Sequence, residues 1–117
     1  MGTYLEKLYR VKTTSVVTLK IEIGYAQKGY TTVFLGDKKI VNNKKNSFEK
    51  VLEEKGKDLK GKTLFCQTMV TDVRTETNET SVKYELTGGR KDFKQKLQES
   101  VESHGDVKHY VANITFY

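Results

Sequence analysis

Proline and tryptophan are absent from this chain of 117 residues, and Cys66 is its only cysteine. No uninterrupted run of aliphatic or aromatic residues exceeds three, as in Tyr110-Val111-Ala112. Each absence excludes a class. A lone cysteine cannot close a disulfide within the chain, so this is no disulfide scaffold, and an odd thiol suits a reducing compartment. Three apolar residues in a row fall far short of the roughly 18–20 that a membrane-spanning helix requires. The start, Met1-Gly2-Thr3-Tyr4-Leu5-Glu6, holds no apolar signal core, and Glu6 stands where a myristoylation motif takes Ser or Thr. The expected location is therefore the cytoplasm, with no membrane partner. Without proline, the turns must take their geometry from Gly, Asn and Asp, and exposed strand edges must rely on lysine to discourage edge pairing.

Catalytic equipment is scarce too. The sequence has no P-loop and no dinucleotide fingerprint, and Gly88-Gly89-Arg90 is a two-glycine turn. Glu53-Glu54 lies among lysines that keep both carboxylates ionised, the reverse of the raised pKa a general acid needs. Cys66 falls mid-strand in Leu64-Phe65-Cys66-Gln67-Thr68, where a thiol is expected to be a small buried hydrophobe rather than a nucleophile. His104, Asp106 and His109 form the densest set of potential metal ligands, yet they are weak candidates, because no Cys pair or further His completes a tetrahedron. Asp72, Glu76, Asn78 and Glu79 read as an ordinary polar loop, since calcium takes about 6–8 oxygens, usually from more than one loop. The sequons at Asn78 and Asn113 are expected to be chance matches. The expectation is a chain without catalytic residues, metal or cofactor.

What the sequence does have is period-two patterning. Val17, Leu19, Ile21 and Ile23 alternate with Thr18, Lys20 and Glu22, which places the apolar side chains on one face of a strand. Tyr30–Leu35 resumes after a turn region spanning Gly24–Gly29, and the pair reads as a hairpin. A second hairpin is expected from Thr63–Val73 and Thr80–Thr87, joined by the polar residues 74–79. Tyr4–Lys12 and Val107–Tyr117 are also strand-like, and Arg90–Glu102 reads as a strand paired with the last one through the Gly105 turn. Ser47 as an N-cap, Phe48, Val51 and Leu52, and Gly56 as a stop favour a short helix. The fold class expected for residues 1–117 is one all-β domain. An antiparallel β-sandwich with hairpin or Greek-key connections leads, with a small β-barrel as the alternative.

Charge is uneven along the chain. The formal net charge is +6, and residues 38–62 hold nine basic and four acidic groups. Lys38, Lys39, Lys44 and Lys45 open this stretch, read as a lysine-rich loop region that either solvates the domain or forms a basic edge. Tyr25, Tyr30 and Phe34 could supply a stacking platform beside that edge. The shared parity of Tyr30 and Phe34 fits the inner face of a strand as well, and core packing is the expectation of the two.

The leading expectation for function is thus a non-enzymatic module that binds another protein through a sheet face, an edge or its polar loops. The alternative is a small barrel that binds nucleic acid or another polyanion through residues 38–62 and Tyr25, Tyr30 and Phe34. A carrier with a small-ligand cavity between sheets is a weaker third.

Overall fold

Alternation at period two organises most of the chain. In the computed structural model, which describes residues 3–117, Val17, Leu19 and Ile21 are fully buried, while Thr18, Lys20 and Glu22 between them face outward. The expectation concerning the Met1-Gly2 start lies outside the described residues. The described residues form nine strands: β1 (Thr3–Tyr9), β2 (Val16–Ile23), β3 (Lys28–Leu35), β4 (Lys38–Lys45), β5 (Phe48–Lys55), β6 (Thr63–Thr71), β7 (Glu79–Thr87), β8 (Phe93–Ser100) and β9 (Val107–Phe116), and all but β4 follow this rule at least in part. One helical turn, α1 (Gly56–Leu59), links β5 to β6.

The strands form two packed sheets and no closed barrel. One has five strands in the order β1-β9-β6-β3-β4, the other four in the order β5-β2-β7-β8. Pairing is antiparallel except between β1 and β9, which run parallel. The space between the sheets is filled by Tyr84, Tyr110, Phe116, Leu19, Ile21 and Leu64, all fully buried. No helix among the described residues is long and apolar enough to cross a membrane.

The strands are largely where the sequence places them, but their partners are not. β2 and β3 are no hairpin, because they lie in different sheets, as do β6 and β7, and β8 and β9. The hairpins are β3–β4, turning at Gly36-Asp37, and β7–β8, turning at residues 88–92. Alternation dictates which side of a strand is apolar, and that side packs equally well in either sheet, so period two cannot name the neighbour. The helix expected over 47–55 is also overturned. Ser47 caps a strand instead, its Oγ accepting from the Ile23 amide at 2.9 Å, and Phe48–Lys55 pairs with β2. Phe48 and Leu52, four apart, suit a helix face and one parity of a strand alike, and sheet pairing decides. The stretch 38–62 is therefore mostly two edge strands rather than a loop.

One buried polar junction locks three of the crossovers. Gln27 donates through Nε2 to Asp72 Oδ1 and the Glu79 carbonyl, both at 3.0 Å, and its Oε1 accepts the amides of Val73 at 2.8 Å and Arg74 at 3.2 Å. The amide of Asp72, a fully buried residue, donates to the Asp106 carbonyl at 3.0 Å. The Asp72 Oδ2 has no partner among the described residues. Removing Gln27 would strand further buried groups, each costing about 1–3 kcal/mol less any water that enters. Gln27→Ala should therefore lower unfolding free energy by about 2 kcal/mol, read by urea denaturation. A change within about 0.5 kcal/mol would show that the junction is not structural.

Candidate functional site

The two outward sheet faces differ in kind. On the four-stranded sheet, Lys20 lies beside Glu22 (3.1 Å) and Glu85 (3.9 Å), Lys83 beside Glu22 (3.4 Å) and Glu85 (3.8 Å), and Lys94 beside Glu85 (3.2 Å). The register explains the network: Lys20 stands opposite Glu85, Glu22 opposite Lys83, and Glu85 opposite Lys94. Such cross-strand pairs satisfy one another. Hydrogen-bonded contacts to Lys20 and Lys83 hold the Glu22 carboxyl below its ordinary range, against its partial desolvation.

The five-stranded sheet presents something else. Its outward positions form cross-strand rows. Tyr30 lies opposite Met69, and Met69 opposite His109. Thr32, Gln67, Val111 and Tyr4 make a second row, and Phe34, Phe65, Asn113 and Glu6 a third. Phe34 and Phe65 touch, their centroids 6.4 Å apart, and Asn113 Nδ2 donates to the Tyr4 hydroxyl at 2.9 Å. Met69 is 47% exposed, Tyr4 55% and Leu8 65%. This face thus mixes aromatic and apolar side chains with the uncharged polar residues Thr32, Gln67 and Asn113. Its positive charge lies along one margin: Lys39 stands opposite Phe34 and Lys45 opposite Tyr30 on β4, with Lys28 at the start of β3, while Glu6 on β1 stands at the other. The Lys28 ammonium sits 5.7 Å from the Tyr30 ring centre and the Lys39 ammonium 5.7 Å from that of Phe34.

The sequence-derived candidates are accordingly divided. Tyr30 and Phe34 do not line the core: β3 buries Gly29, Thr31, Val33 and Leu35 and turns Tyr30 and Phe34 outward. Tyr25 is not with them. It lies in the β2–β3 turn with φ +58, under the Lys96 ammonium at 6.0 Å, on the side of the four-stranded sheet. Lys38 and Lys39 begin β4 while Lys44 and Lys45 end it, roughly 20 Å away at about 3.3 Å per residue. These four lysines form no single cluster. Lys38 and Lys39 instead border a cleft of about 450 Å³ between β4 and β5, shared with Lys50, Glu53 and Glu54. The face formed by Phe65, Met69, Val111 and Tyr4 was not legible as a site, since each residue taken singly reads as an ordinary strand position.

The remaining candidates are occupied by local structure. Asp106 Oδ2 accepts the Ser103 amide at 3.0 Å and closes its own turn, His104 is exposed in that turn, and His109 lies on the sheet face opposite Met69. No three His, Cys, Asp or Glu side chains among the described residues are placed to hold a metal ion. Glu76 pairs with Arg74, and Glu79 accepts from Ser100 at 2.7 Å and Gln98 at 3.1 Å.

Cys66 is fully buried, and desolvation pushes its thiol from 9.0 up to about 12. Above pH 9 the unfolded chain releases a proton that the folded chain retains, so stability present at neutral pH is lost between pH 9 and 12. The slope from this one group approaches about 1.4 kcal/mol per pH unit. Burial also raises the phenols of Tyr84, Tyr9 and Tyr110, which add to the loss at higher pH. Urea denaturation at pH 8 and 9.5 should show the fall in the native chain and a flatter profile in Cys66→Ala. Equal slopes in both would contradict this assignment.

No protein-family model, no curated protein and no solved structure matches the chain.

Proposed function

We propose that this protein is a non-enzymatic interaction module whose working surface is the outward face of the five-stranded sheet, and that its partner is another protein. The observation that carries this reading is the contrast between the two faces. On the four-stranded sheet Lys20, Lys83 and Lys94 pair with Glu22 and Glu85, whereas the five-stranded sheet turns Tyr4, Leu8, Met69, Phe34 and Phe65 outward among the polar residues Thr32, Gln67 and Asn113. Exposed aromatic and apolar side chains gathered on one face, with polar groups among them, mark an interaction site.

The partner's chemistry follows from the rim. Lys28, Lys39 and Lys45 have no ion-pair partner among the described residues, and Glu6 is the one acidic residue in the three rows. An apolar protein surface with acidic residues along one margin is complementary. Nucleic acid suits the same face less well, because lysines already sit over the rings of Tyr30 and Phe34, and the exposed Leu8 and Met69 offer no ring for base stacking. A carried ligand would have to bind outside the interior, which side chains fill.

A photo-crosslinking amino acid at Gln67, central on the proposed face, should give one discrete adduct in the cell that makes the protein. The same group at Lys83, central on the other face, should give none. Adducts from Lys83 alone, or from neither site, would overturn the reading.

A further inference from the structure

The strand directions sort every connection to one of two ends of an elongated molecule measuring 46 × 24 × 21 Å. Residues 10–15, 36–37, 56–62 and 88–92 meet at one end, and residues 24–27, 46–47, 72–78 and 101–106 at the other. The first group holds seven basic and three acidic residues, the second one basic and four acidic. The sandwich is therefore polarised along its axis, although the four segments are scattered through the sequence.

Two adjoining clefts open at the basic end, of about 460 and 470 Å³, and they share Arg10, Arg90 and Tyr117. Volumes of this order suit small ligands. The basic residues lining them are Lys7, Arg10, Arg90 and Lys91 in the first, with Lys12 and Lys60 added in the second, against Asp92 as the one acid. None of the six has an ion-pair partner among the described residues. On the four-stranded sheet, by contrast, Lys20, Lys83 and Lys94 are all paired.

The fold holds the two arginines together. The Arg90 amide donates to the Arg10 carbonyl at 3.0 Å, and the Gly89 amide donates to the Tyr9 hydroxyl at 3.0 Å. Gly89 is what permits the approach, because a Cβ there would stand 2.6 Å from the Arg10 carbonyl oxygen. Two permanently charged guanidinium groups are thus brought to one cleft whose one acidic side chain, Asp92, forms an ion pair with neither, an arrangement that an anion stabilises.

We propose that this end of the sandwich is a site for phosphoryl groups. Arg10 and Arg90 act as bidentate donors to phosphate oxygens, and Lys7, Lys91, Lys12 and Lys60 serve as point charges for a second phosphoryl group. The phosphoryl groups come either from a free organic phosphate or from a nucleic-acid backbone. The first cleft borders the outward sheet face at Leu8, but none of its proposed phosphate donors belongs to that face, so the site stands or falls without it.

Calorimetric titration and thermal unfolding of the full chain with inorganic tripolyphosphate at low salt should show saturable binding and a rising midpoint. Arg10→Gln with Arg90→Gln should weaken binding at least tenfold, while Lys94→Gln with Lys96→Gln, on the outward face of β8, should leave it unchanged. Should the arginine variant fail to fold, Lys60→Gln with Lys91→Gln on the exposed rim should still weaken binding at least threefold. A single-stranded oligonucleotide that competes with tripolyphosphate, with affinity falling steeply in salt, assigns the source to nucleic acid. Tripolyphosphate binding without such competition assigns it to free organic phosphate. No saturable response of the native chain, or one that these variants retain in full, overturns the site.

Discussion

Gly88→Ala should lower unfolding free energy by about 2–5 kcal/mol. Two effects add. Gly88 has φ +97, a conformation that costs an L-residue about 1–2 kcal/mol. A Cβ there would also stand 2.1 Å from the Val16 carbonyl oxygen, and the backbone of β2, held between β5 and β7, cannot step aside as a flexible side chain can. Relieving the overlap means parting the β7–β8 turn from the start of β2, which resembles overpacking at about 1–3 kcal/mol. Gly36 is the internal control. It too has positive φ, at +62, but nothing lies within 4 Å of its would-be Cβ, so Gly36→Ala should cost only the conformational part. Equal losses in the two variants, measured by urea denaturation, would remove the steric half of the account.

The second large effect concerns binding. Phe34→Ser with Phe65→Ser removes the touching ring pair at the centre of the third row, and the crosslinked adduct formed through Gln67 should fall by about one hundredfold. Aromatic residues near the centre of an interface dominate its energetics, and truncation of an anchor costs about 2 kcal/mol or more. Both rings are half-buried and outward, so the folded state should lose comparatively little. An unchanged adduct yield in a variant that remains folded would exclude this face as the binding surface.

How far the sequence foretells this molecule differs by level. The strands β2, β3, β6, β7 and β9 follow from alternation such as Val17, Leu19 and Ile21. Their partners do not, because the inward side of β3 would fill either sheet equally well. β5 was hidden by Phe48 and Leu52, whose spacing serves two periodicities, and by Ser47, whose hydroxyl caps a neighbouring strand amide instead of a helix. The candidate site was half legible. Parity placed Tyr30 and Phe34 on one side of β3, but which side faces the core depends on Thr31, a polar residue that is buried by its 2.9 Å contact with Thr68. Against Gly29, Thr31 and Val33, the pattern Tyr30, Thr32 and Phe34 is the more hydrophobic and still points outward. The basic end was invisible for a simpler reason. Arg10 and Arg90 lie eighty residues apart and meet only after β1 and β7–β8 have packed around Tyr9.

The buried Cys66 makes the central claim directly measurable, since a fully buried thiol with a raised pKa leaves the folded chain silent to maleimides. Single cysteines introduced at Thr32, Gln67 and Asn113 on the five-stranded sheet, and at Thr18 and Lys83 on the four-stranded sheet, can be labelled in the purified protein and in the cell. The account predicts labelling in the cell at least fivefold slower than in the purified protein for the first three positions and unchanged for the last two. Equal rates on both faces, or protection confined to the four-stranded sheet, would contradict it.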